Sequence, residues 1–252
     1  MLKTMKYELI RNKTVLIVLA SIMGGSELIF LLGYMTKRAQ TLALGMVLLT
    51  FGAMVVYFTI WLLGLISFGR DLREKSGYMV FLTPVSPYKI ICAKMLVGLV
   101  ELMITAFLLI VLASLDLNIL ASEYRGQISI IRMFAQEFGT TVDNVWGVFI
   151  VLIIITMIEV LTLYSIAYLA AALAAMMSRT GGSQKWISIG LVLVILIVFY
   201  TVSNSLPKID SHASGIVMRE LLSRTPQVIF AILMTIGCTI GTGYLVEKKV
   251  SL

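Results

Sequence analysis

Three carboxylates, Glu27, Glu101 and Glu159, interrupt long apolar runs. An ionised carboxylate in hydrocarbon costs about 3 kcal/mol or more, so such groups face protein or water. Two kinds of chemistry fit them: a polar lining for a substrate path, or a proton relay. The plain alternative is an interhelical hydrogen bond with the acid protonated. No lysine or arginine stands in mid-span beside them, which favours protonation or a watery cavity. A second concentration of chemistry is the stretch EKSGYMVFLTPVSPYKIICAK at 74–94. Charges, a glycine, aromatics and two prolines share one connection between apolar runs.

Other chemistries lack their residues. No G-x-x-x-x-G-K-[ST] phosphate loop occurs, and TGGSQK at 180–185 is too short to be one. The chain is not expected to hydrolyse ATP itself. The one histidine, His212, cannot supply the base or ligand pairs of an intramembrane protease. Cys92 and Cys238 lie in apolar runs without metal-ligand spacing, so neither a disulfide nor a metal site is expected.

The elements that must position these residues follow from composition. The 252 residues are 60% hydrophobic and 13% charged, against roughly 45–50% and 25% in soluble domains. The excess falls in blocks of at least about 18 residues, long enough for a hydrocarbon core. Six spans are predicted, at 14–36, 41–69, 88–114, 145–177, 186–203 and 227–246, within one transmembrane domain. The first run is too long for a signal-peptide core and no A-x-A site follows it, so a retained helix is expected.

Charge sets the orientation. The formal net charge is +7, and thirteen of the twenty Lys and Arg residues fall in 1–13, 70–94, 178–185 and 248–249. The positive-inside rule places these segments, and both termini, in the cytoplasm. Asp116, Glu123, Glu137, Asp143, Asp210 and Glu220 then lie outside. The basic charge is a membrane signature and not a nucleic-acid one. Residues 1–13 read as an amphipathic interfacial helix, with Leu2, Met5 and Leu9 on one face. The outer connections at 115–144 and 204–226 are long enough for short surface helices. Small residues repeat at Ala167, Ala171 and Ala175 and at Gly237 and Gly241, a pattern for close helix approach within the chain.

The 74–94 stretch is more specific. Gly77 permits a tight turn, Pro84 ends any helix before it, and Ser86-Pro87 starts a new one. Tyr78, Met79, Phe81 and Leu82 need a cover, either lipid interface or protein. The stretch resembles the connection between the second and third spans of ABC-type-2 export permeases. Glu74, Gly77, Phe81, Leu82, Thr83, Pro84, Val85, Ser86 and Lys94 carry that likeness.

The resemblance implies a bacterial cell-membrane, multi-pass permease. Two such chains, identical or related, pair with two copies of a separate ABC ATPase. This chain binds no cofactor, and ATP and Mg belong to the partner. The 70–84 region is then the coupling helix, with Glu74, Lys75, Gly77, Tyr78, Phe81, Leu82, Thr83 and Pro84 as the ATPase contacts. The 1–13 helix becomes the connecting helix. Glu27, Glu101 and Glu159 are candidates for the translocation path. The expected cargo is amphipathic or hydrophobic: a peptide, toxin or drug-like molecule. The 115–144 connection is longer than the family pattern. A membrane-embedded binding or uptake component, or an immunity-type protein without transport, is the competing reading.

Overall fold

A computed structural model describes residues 2–73, 86–123, 145–177, 181–209 and 216–248. They form α1 (Leu2–Met35), α2 (Ala39–Arg73), α3 (Pro87–Glu123), α4 (Val145–Met177), α5 (Gly181–Ser205), α6 (Ile216–Ser223) and α7 (Thr225–Lys248). Among the described residues there is no strand. All but α6 are long and apolar enough to cross a membrane. The chain is an all-α, multi-pass membrane protein. One end of the bundle holds the start of α1, the end of α2, the start of α3 and the end of α7. It is called the near end here.

The six predicted spans are the six long helices, with two differences. The expected interfacial helix over 1–13 is not a separate element: α1 runs unbroken from Leu2 to Met35. The reason is that Glu8, Arg11 and Asn12 engage α2 and α3, which holds this segment in line with its span. The third helix continues to Glu123, so Asp116, read as part of an outer loop, belongs to α3. The short helix expected within 204–226 is α6. Lys89 N–H donates to the Ser86 carbonyl at 3.0 Å where α3 begins at Pro87, the start that Ser86-Pro87 encodes.

Packing is closest where glycine lets backbones meet. A Cβ on Gly45 of α2 would lie 2.6 Å from the Phe30 Cα of α1. This draws α1 and α2 together. The other close approach is central. Tyr164 of α4, fully buried, wedges between Gly64 of α2 and Gly98 of α3. One turn on, Tyr168 donates to the Gly64 carbonyl at 3.0 Å and shares a hydrogen bond with Ser67 Oγ at 2.9 Å. Its ring stacks on Phe68. Ala167 and Ala171 join this core, with Ala171 against Gly69, so the alanine repeat packs within the chain. Gly241 meets Leu169, whereas Gly237 has no such neighbour. α5 lies at the edge, against α4 and α7, where Phe199 stacks on Phe230.

Candidate functional site

Three helices converge on a charge network at the near end. Glu8, Arg11 and Asn12 share one face of α1 because residues three and four apart are neighbours on a helix. Asp71 lies in the last turn of α2. Lys94 and Glu101, two turns apart, line one face of α3. Lys94 Nζ pairs with Glu8, and it lies 2.7 Å from Asp71 Oδ2 as an ion pair outside hydrogen-bond angular geometry. Arg11 reaches Asp71 Oδ1 at 2.7 Å and also pairs with Glu8. Asn12 Nδ2 donates to both Glu101 oxygens at 3.1 Å. Glu8, Asp71 and Lys94 are each only 2% exposed. Two acids and two bases leave the four-residue core neutral, the condition under which buried charges are tolerated.

This network brackets the 74–94 stretch. Asp71 stands just before it and Lys94 closes it. Glu74, Lys75, Gly77, Tyr78, Phe81, Leu82, Thr83 and Pro84 lie outside the described residues, as does the Leu2 side chain. Met5 is half-buried and Leu9 is exposed. Glu101 is in the network. The sequence pattern marked none of Glu8, Asn12 and Asp71 as site residues, and Lys94 read as a topology signal and as the close of the permease-like stretch. The available signal was polar spacing: Glu8, Arg11 and Asn12 fall on one helical face.

Above the network, α1 and α3 part around a cavity of about 550 Å3, floored by Val56 and Ile60 of α2. Its walls are apolar. Glu101 borders its near end and Glu27 its far end. The carboxyls of Glu27 on α1 and Asp116 on α3 face each other within hydrogen-bonding reach. No other described residue donates to Glu27 Oε2 or Asp116 Oδ1, and both atoms are buried. Asp116 borders a second cavity of about 430 Å3. Met23, Leu109 and Leu112 line both cavities, so the carboxyl pair stands where the two abut.

Glu159 is elsewhere. It is exposed on α4, beside a cleft of about 140 Å3 formed with Ser203, Asn204, Arg224 and Gln227. These belong to the far ends of α5 and α7 and to the turn between α6 and α7. The structure therefore brings Glu27 and Glu101 to one cavity and leaves Glu159 outside it. Arg224 and Lys208 both pair with Glu220, whose carboxyl they hold below its ordinary range by hydrogen bonds, that from Lys208 foremost. Among the described residues, no three of His, Cys, Asp and Glu group closely enough to hold a metal. Comparison with protein families, curated proteins and solved structures returned no match for this chain.

Proposed function

We propose that the chain is the permease subunit of an ATP-driven exporter, worked by a separate ABC ATPase, with both termini in the cytoplasm. The observation that carries this reading is the ion network that ties the two ends of the 74–94 stretch to each other and to α1. A protein without its own phosphate loop needs a handle for an ATPase. The apolar and aromatic residues Tyr78, Met79, Phe81 and Leu82 suit such a handle.

The geometry suggests how force would travel. A push on the 74–85 segment arrives at Asp71 on one side and at α3 on the other. Lys94 holds Asp71 and Glu8 together, so the near ends of α1, α2 and α3 move as one block. α1 is also held to α2 by the Phe30–Gly45 contact. The remaining freedom lies where α1 and α3 part, around the cavity between Glu101 and Glu27. Two such chains, identical or related, would enclose the path with two ATPases that carry ATP and Mg. The cargo is amphipathic or hydrophobic.

The test is co-purification. The tagged chain is co-expressed with the phosphate-loop ATPases of its own genome and isolated in mild detergent. The expected result is one ATPase retained in near-equal amount, and reduced retention by Phe81→Ala. Retention of none of them favours the immunity-type reading and removes the transport one.

A further inference from the structure

We infer that the cavity between α1 and α3 is a binding site for an amphipathic organic cation. Its apolar body would fill the cavity, and its ammonium or guanidinium group would sit at Glu27 and Asp116. As a cargo site this rests on the transport reading above; as a binding site it stands alone.

Size and lining set the body of the ligand. About 550 Å3 falls within the roughly 300–1,000 Å3 typical of small-molecule pockets. Leucine, isoleucine and valine side chains supply most of the wall, and Met23 adds an adaptable thioether. Such a wall offers nothing to a polar molecule along most of its length.

Charge sets the head. The cavity is bordered by two carboxyls and no base. The two differ in what already satisfies them. Glu101 is spoken for: both oxygens accept from Asn12, and Arg11 stands close enough to interact with it. Among the described residues, the polar partner of each of Glu27 and Asp116 is the other. Two facing carboxyls, where they share a proton, carry one negative charge between them. Glu27 Oε2 and Asp116 Oδ1 are buried acceptors with no other described donor. A buried acceptor without a donor costs free energy, and a cation with N–H groups relieves it. A lipid acyl chain could fill the same walls, but it would leave both oxygens unserved. Complementarity therefore selects a cation over a neutral chain, and the Glu27 end over the Glu101 end.

Three fluorescent probes with one apolar body distinguish these occupants: dansyl-diaminooctane (ammonium), dansyl-octylamine (neutral) and dansyl-aminooctanoate (carboxylate). Each is titrated into phosphatidylcholine nanodiscs holding the chain alone, with empty discs subtracted. The ammonium probe is expected to bind saturably and at least about tenfold more tightly than the other two, the size of one charged hydrogen bond. Glu27→Gln with Asp116→Asn is expected to erase that preference, while Glu101→Gln leaves it within about threefold. Leu112→Trp, which fills the cavity and keeps both carboxyls, is expected to abolish saturable binding of the ammonium probe. Equal binding of ammonium and neutral probes would identify a lipid-tail cleft and overturn the proposal. So would an ammonium preference that survives the double substitution, or one lost in Glu101→Gln. The measurement needs no ATPase. Its failure leaves the transport reading standing, and failure of co-purification leaves the binding site standing.

Discussion

Replacing Lys94 by Met is the sharpest probe of the near-end network. The ammonium is fully buried and contacts two carboxylates, Glu8 and Asp71. Its removal leaves two acids facing Arg11 alone, and the Arg11 side chain is 23% exposed. Breaking a buried ion pair by deleting one partner costs about 3–5 kcal/mol. For a chain of this size, about 3 kcal/mol lowers the unfolding midpoint by roughly 6–12 °C. Asp71→Leu is expected to cost a similar amount, because it strands Lys94 with Glu8. The double variant keeps a neutral Glu8–Arg11 pair. Its cost is expected to fall short of the summed single costs by about 1–3 kcal/mol. The assay is thermal unfolding in detergent with a thiol-reactive dye. Cys238 is buried and Cys92 half-buried, so both report opening of the bundle. Strictly additive costs, or a Lys94→Met loss below about 1 kcal/mol, would refute the network as a coupled unit.

Two tyrosines one turn apart should respond oppositely to loss of their hydroxyls. Tyr168→Phe gives up hydrogen bonds to Gly64 and Ser67, at a cost of about 1–2 kcal/mol. Tyr164→Phe removes a buried hydroxyl without a described hydrogen-bond partner, so the same melt is expected to show no loss or a gain. Glu220 supplies a pH test. Lys208 and Arg224 hold its carboxyl below the ordinary 4.5. A depressed folded value means the ion pairs stabilise above the ordinary value, and that this contribution fades as pH falls through the lowered one. Lys208→Ala is expected to move the Glu220 titration upward, as read by NMR of carbon-labelled glutamate. No movement would count against these pairs.

The spans were legible because apolar runs of membrane length admit few alternatives, and Ser86-Pro87 marked the α3 start to the residue. Glu27 and Glu101 were also legible, as acids inside apolar runs. Their partners were not. Asp116 looked like a loop residue because the α3 run is punctuated near its far end, and only the register of α1 against α3 brings it to Glu27. Asn12 is an ordinary polar residue until that same register sets it against Glu101. Lys94 resembled a basic flank that fixes topology and the close of the 74–94 stretch, and Asp71 was one charge among several at the end of a span. Charge counting sums such residues and does not ask whether they meet. Glu8, inside a basic segment, was hidden by its neighbours for the same reason. Glu159 shows the converse: three acids in apolar runs suggested one path, yet helix packing separates one of them from the other two.

In the proposed transport reading, the 70–84 region transmits work from an ATPase through the near-end network. The most direct measurement is ATP turnover by the reconstituted complex in the presence and absence of cargo. Gly77→Asp places charge and bulk in the handle while leaving the described helices untouched. Cargo stimulation is expected to fall at least about tenfold, the effect of losing roughly 1.4 kcal/mol of coupling, with insertion and complex assembly retained. Full stimulation in Gly77→Asp and Phe81→Ala complexes would contradict that reading.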